Sequence, residues 1–173
     1  MSNQAWESQF QEIYDNAQSR YRGGRRSPSS LFGPSEVKFL NSIGCTAQEL
    51  FDYIEDGLDS NDPSYSEVLK VTTIRKDYFL NELNGRSNKE IIQASQLPSK
   101  SASVEGIRWL PRIIGKAKAK LHGQLSDDLM YGCGGDRPFL RSVNLTLSEF
   151  LIKVRDSKDD KEVIDFVIEN AKR

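Results

Sequence analysis

One histidine and two cysteines in 173 residues leave little material for several kinds of chemistry. A multi-histidine metal centre has nothing to build on, and a nucleophile–histidine pair is limited to His122 with Cys133. No CxxC, HExxH or GxxxxGK[ST] occurs, and no GxGxxG follows a strand-like run, so neither a metal nor a cofactor is expected. Cys45 and Cys133 do not make a disulfide framework, which points to free thiols and a cytoplasmic location. No apolar run approaches the roughly eighteen residues that a membrane span needs. The opening MSNQAWESQFQ lacks the apolar core of a signal peptide. With a net charge of -1 the chain as a whole does not attract polyanions, so an anion site would have to be a local patch.

What is present suits an ordinary water-exposed fold with a real core: 37% hydrophobic and 28% charged residues over a length of one domain. Trp6, Phe10, Ile13, Tyr14, Ala17 and Tyr21 recur at three, four and seven, the spacing of an amphipathic helix over 5–21. Gly23 and Gly24 stop it, and Ser27-Pro28 suits a new start. An internal repeat follows. FLNSIGCTAQELFDYIED (39–56) aligns without a gap on FLRSVNLTLSEFLIKVRD (139–156), and EVLKV (67–71) matches EVIDF (162–166). Each copy holds a capping box, Thr46-x-x-Glu49 and Thr146-x-x-Glu149, in which the threonine and the glutamate each satisfy an otherwise unpaired amide. Gly44 and Asn144 suit the left-handed turn that ends the preceding helix. Asp62-Pro63 and Asp159 or Asp160 would start a third helix in each copy. TLSEFLIKV passes for a strand by propensity, but its capping box argues for helix.

Between the copies, Ser87-x-x-Glu90 reads as a capping box opening a short helix through Ser95, and LPSKSASVEG as a connector. Ile107, Leu110, Ile114, Ala117 and Leu121 share one face of a helix running from Leu110, with Pro111 in its first turn, to His122. The expected fold is all-α: a compact multi-helix domain of two related three-helix units, at about 35–80 and 135–172, joined by a basic amphipathic helix. The expected organisation is an N-terminal helix and Arg/Gly-rich connector over 1–26, then a single duplicated domain over 27–173. That domain divides into unit one at 27–85, a connector at 86–106 and unit two at 107–173.

Four stretches carry candidate chemistry. Arg112, Lys116 and Lys120 stack at i, i+4 and i+8 opposite the apolar face of the 110–122 helix. Like charges at that spacing repel by a few tenths of a kcal/mol per pair. The stripe reads either as a phosphate, nucleic-acid or carboxylate surface, or as a solvated face paired with acids such as Glu55, Asp56 or Asp127. RYRGGRR (20–26) reads as an RNA-contacting loop or as a connector docked on acidic helices. Asp52, Glu55 and Asp56, at i, i+3 and i+4, read as a metal or acid–base cluster or as a solvated helix end. Cys45 and Trp109 read as core residues, and His122 as a favourable charge at a helix C-terminus.

The fourth stretch, YGCGGDRPFL (131–140), puts Gly132, Gly134 and Gly135 around Cys133. Asp136 is the expected N-cap of the following helix. In the first copy the matching residues are Phe32-Gly33-Pro34-Ser35-Glu36, so the second copy has exchanged Pro34 and Ser35 for glycines. Glycine amides at a helix start offer an anion site. A thiol there reads as a reactive nucleophile, or as a small hydrophobe in a tight turn with Arg137 paired to an acid.

WLPRIIGKAKAKLHGQL, YGCGGDRPFL, LSEFLIKV and DDKEVIDFV together resemble a bacterial family catalogued as a domain of unknown function, number five thousand and sixty-nine. Its pattern is an LPR, a basic run, a Tyr-x-Cys loop, an aspartate before a Phe-Leu pair, and a closing amphipathic helix. The resemblance covers about 104–170, departs from the pattern at Gly115 where an acid is expected, and carries no activity with it. It points to Arg112, Lys116, Tyr131, Cys133 and Asp136. The leading expectation is a non-catalytic protein that binds an anionic small molecule or a partner protein, or more weakly RNA, without a membrane. Arg112, Lys116, Tyr131, Gly134, Gly135, Asp136 and Arg137 would make the contacts. The alternatives are a cysteine-dependent enzyme with Cys133 as nucleophile beside Asp136, Arg137 or His122, and a structural protein–protein interaction module.

Overall fold

The aromatic stripe of the first helix is the simplest place to see sequence become packing. In the computed structural model, which describes residues 3–87 and 90–172, α1 runs Asn3–Arg22 and buries the whole stripe. Trp6, Phe10, Ile13, Tyr14, Ala17 and Tyr21 are each at most 5% exposed. Fully burying aromatic and aliphatic side chains contributes roughly 1.5–3 kcal/mol apiece before the entropy of ordering them is subtracted. The chain divides into two compact units, Met1–Lys76 and Asp77–Arg173.

In the first unit, α2 (Pro28–Leu31) and α3 (Pro34–Ser42) both begin at prolines, whose missing amide costs nothing in a first turn. α4 (Ala47–Ser60) opens on the Thr46 box: Thr46 Oγ1 accepts from the Glu49 amide at 3.1 Å, and Glu49 Oε2 accepts from the Thr46 amide at 3.1 Å. α5 (Tyr65–Asn81) continues past the boundary between the units. It does not start at Pro63 as the sequence suggested. The Asp62–Pro63 peptide is cis, and the first turn is instead capped by Ser64 Oγ, which accepts from the Glu67 amide at 3.3 Å.

In the second unit no α-helix forms among the described residues of the expected Ser87–Ser95 segment. Residues 90–93 are not helical, and only Ala94–Gln96 makes a single 3-10 turn. Ile92 forms a parallel bridge with Leu125. Its N–H donates to Gln124 O at 2.7 Å, and its carbonyl accepts from the Ser126 amide at 3.4 Å. Those bonds satisfy the backbone that a helix would have satisfied, and tertiary pairing overrides a local cap signal. Asn88 and Lys89, inside that capping box, lie outside the described residues.

The connector holds a small ribbon that no strand signal in the sequence announces. β1 (Ser103–Val104) pairs antiparallel with β2 (Ile107–Arg108), Val104 opposite Ile107. Glu105 and Gly106 turn the chain with φ of 50° and 76°, the doubly positive pattern of a two-residue hairpin loop. α6 follows as Leu110–His122 and ends at Gly123 with φ 68°. α7 (Asp136–Ser142), α8 (Leu147–Asp156) and α9 (Asp160–Ala171) complete the unit. The fold is all-α apart from the ribbon. α3 and α4 fall on the first copy of the repeat and α7 and α8 on the second, with Gly44 and Asn144 at φ 73° and 56° before each capping threonine. Thr146→Ala is expected to lower stability by about 1 kcal/mol, read as a smaller urea midpoint with an unchanged slope.

Candidate functional site

α6 is packed on by β1, α8 and α9, and its basic stripe is not the solvent-facing surface expected from the sequence. Arg112 is 8% exposed, Lys116 3% and Lys120 2%. Gly115 explains part of this. A Cβ there would stand 3.0 Å from Leu97 Cδ2 and 3.7 Å from Pro98 Cδ. The missing side chain lets the 97–98 segment lie directly on the helix, a reason for glycine unrelated to the acid expected at that position. Arg112 then donates through Nη1 to the Pro98 carbonyl at 2.8 Å.

Lys116, one turn on, points into the glycine loop. Its Nζ lies 2.5 Å from Asp136 Oδ2 and 3.2 Å from Cys133 Sγ. Asp136 is fully buried at 0% exposure, and its carboxylate is a hub. Oδ2 also accepts from the Gly132 amide at 2.9 Å, and Oδ1 accepts from Trp109 Nε1 at 2.9 Å. Asp136 is therefore not the N-cap of α7. It is the first helical residue, with Gly135 at the cap position, and its side chain reaches back to the loop and across to α6. A carboxylate receiving one ammonium, one indole and one amide proton is satisfied despite complete burial.

The three glycines have different explanations. Gly132 has φ 92°, a backbone conformation that costs other residues about 1–2 kcal/mol. Gly135 lies against the Trp109 ring: a Cβ there would stand 2.5 Å from Cζ2 and 2.7 Å from Cη2. Gly134 faces open space, with nothing within 4 Å of a built Cβ. The loop is thus held from inside at two glycines and open at the third. Arg137 Nη1 donates to the Gly132 carbonyl at 2.6 Å, and Tyr131 Oη donates to the Leu147 carbonyl at 2.7 Å. Both side chains serve to fix backbone, Tyr131 at 1% exposure and Arg137 at 8%.

Trp109 and Pro98 join the site without having been singled out for it. Trp109 has φ 74°, an outlier for so bulky a side chain, and such strain costs of order 1–3 kcal/mol. Its amide donates to the Ala102 carbonyl at 3.1 Å and its indole to Asp136, so both ends hold the conformation. Nothing in the sequence announces a positive φ at a tryptophan. His122, considered as a partner for Cys133, is occupied elsewhere. Its Nδ1 is 2.8 Å from the Lys118 carbonyl, which fixes it as a donor, so Nε2 accepts from Tyr78 Oη at 3.1 Å. The thiol's neighbour is Lys116.

The other stretches resolve into ordinary contacts in the first unit. Arg20 donates to the Leu31 carbonyl at 2.5 Å and pairs with Glu36 at 2.7 Å. Arg25 donates to the Ser30 carbonyl at 3.0 Å, and Arg26 lies 3.9 Å over the Tyr21 ring and donates to the Tyr21 carbonyl. Cys45 is buried. Among the described residues, no group of three or more metal-ligating side chains is assembled.

Asp52 is pushed up to about 6, mainly because burial disfavours its charge and secondarily by Glu55, Asp56 and Glu49, against a hydrogen bond from Gln48. A carboxyl raised in the folded state costs nothing below the unfolded value. It destabilises increasingly as pH rises toward the folded value. Asp52→Asn is therefore expected to stabilise the first unit by about 1–2 kcal/mol at pH 7, after solvent screening, and by nothing near pH 3. Thermal melts of both proteins across that range check the sign.

No curated protein and no solved structure matches the chain. Residues 94–173 match the model of a family described as "Domain of unknown function (DUF5069)", which spans the ribbon, α6, the glycine loop and α7–α9. The part of the chain that carries the Lys116–Asp136–Cys133 cluster is thus the part that is similar to the DUF5069 family.

Proposed function

We propose that this protein binds an anionic small molecule or an anionic group of a partner, with Arg112 as the principal contact. One observation carries this reading. Arg112 is more than nine-tenths buried and donates to a single carbonyl, and among the described residues no carboxylate pairs with its guanidinium. A buried cation without a counter-charge is costly, and a planar fork with spare N–H groups fits a carboxylate or phosphate. Lys116 differs: its charge is matched by Asp136, so it supports the loop and does not meet the ligand. The amide of Gly134 and the loop around it complete the contact surface. No helix among the described residues is long and apolar enough to cross a membrane, and the free cysteines suit a reducing cytoplasm.

The test is a thermal-shift screen of nucleotides, sugar phosphates, carboxylates and short RNA at two salt concentrations. A ligand at about 100 times its dissociation constant adds roughly 2.7 kcal/mol, a shift of about 5–10 °C for a chain of this length. Arg112→Gln, which keeps a donor for Pro98, is expected to fold and to lose most of that shift. A shift equal in both proteins counts against Arg112.

A second reading, an enzyme with Cys133 as nucleophile, is favoured by the Lys116–Cys133 contact at 3.2 Å. It requires Cys133 to be alkylated by iodoacetamide much faster than free cysteine. Alkylation at the ordinary rate rejects it.

A further inference from the structure

We propose that Cys133 and Lys116 form a redox-closed covalent pair, in which oxidation of the thiol by a peroxide links its sulfur to the lysine nitrogen. The geometry assigns each partner a role independently of any ligand at Arg112. Cys133 is half-buried and is followed by Gly134, which faces open space, so a small oxidant would enter on this open side of the loop. Lys116 approaches the same sulfur from the protein side, at 3% exposure and 3.2 Å. The second cysteine, Cys45, is 4% exposed and packs as core. A nitrogen already in contact with the oxidised sulfur is thus the built-in resolving group.

The chemistry balances in two steps. The Cys133 sulfur attacks one peroxide oxygen and the O–O bond breaks. This gives a sulfenic acid and water, with sulfur oxidised by two electrons and the peroxide reduced. Asp136, 2.5 Å from Nζ, takes the ammonium proton. The Lys116 lone pair then attacks sulfur, the S–O bond breaks, and the hydroxyl leaves as water with the second amine proton. The product is an S–N bond, a side-chain version of the sulfenamide that sulfenic acids form with backbone nitrogen. Asp136 returns its proton to solvent. Two equivalents of a small thiol reverse the reaction, yielding the free cysteine, the free amine and a disulfide.

The experiment treats the full chain with one equivalent of hydrogen peroxide and measures intact mass, then maps tryptic peptides. The expected product is lighter by two hydrogen atoms, has lost cleavage after Lys116, contains a peptide linking Lys116 to Cys133, and reverts with dithiothreitol. In Lys116→Arg, which retains a buried cation, the expected product is heavier by one oxygen atom and is trapped by dimedone. Several results would overturn the proposal: a dimedone-trapped Cys133 in the unaltered chain, a link from Cys133 to the Gly134 amide, a disulfide-joined dimer, or an unreacted thiol.

Discussion

Lys116→Met is expected to destabilise the second unit by roughly 3–5 kcal/mol, the largest effect of any single change considered. The reason is Asp136, not the lysine itself. The carboxylate is at 0% exposure, and its only ion pair among the described residues is with Lys116. Met fills a similar volume and removes no apolar packing, so the loss isolates the charge left behind. The double variant Lys116→Met with Asp136→Asn separates the explanations. Asparagine keeps a carbonyl to accept from the Trp109 indole or the Gly132 amide, but carries no charge to strand. The pair is therefore expected to recover about half or more of the loss, a coupling of order 2 kcal/mol. Urea unfolding of the four proteins gives the cycle directly. Additive costs would mean that the pair is not energetically coupled.

The second large effect is at Gly135. Gly135→Ala places a methyl 2.5 Å from Trp109 Cζ2, inside any tolerable contact. The ring cannot swing away without surrendering the 2.9 Å hydrogen bond from Nε1 to Asp136. The expected cost is about 1–3 kcal/mol. Gly134→Ala, one residue earlier and facing open space, is expected to stay within about 0.5 kcal/mol of the parent. The two alanines differ only in what stands opposite them. Equal effects in a thermal melt would show that the loop is sensitive to its glycines for chain flexibility alone. Trp109→Ala removes the obstacle, so adding Gly135→Ala to it is expected to cost little more.

The elements legible in the sequence were those with two agreeing signals. α4 and α8 carried both an apolar period and a capping box, and the boxes form as read. α6 carried an apolar face and Pro111 in its first turn, and it runs Leu110–His122 as they imply. Where one signal stood alone it lost to tertiary pairing, as at Ser87-x-x-Glu90, whose neighbour Ile92 bonds to Gln124 and Ser126. The candidate site was legible as a set of residues but not as a geometry. Arg112, Lys116, Cys133 and Asp136 all stand out in the sequence, yet a helical wheel assigns charge to solvent and so puts Arg112 and Lys116 on a polar outer face. Periodicity cannot show that the 97–98 segment and the glycine loop cover that face. Nor does any local rule foresee Trp109 at φ 74°, since its conformation is held across the hairpin by Ala102 and, far along the chain, by Asp136.

The central claim is that Arg112 is the cation left for a ligand while Lys116 is already spent on Asp136. Its most direct test is a calorimetric titration of pyrophosphate into the unaltered protein and into Arg112→Gln, each at low and moderate salt. The account predicts saturable one-to-one binding that weakens with salt and falls at least tenfold in the variant, equivalent to about 1.4 kcal/mol, while the melting temperature of the unliganded protein changes little. Binding of equal strength in both proteins, or none in either, would contradict it.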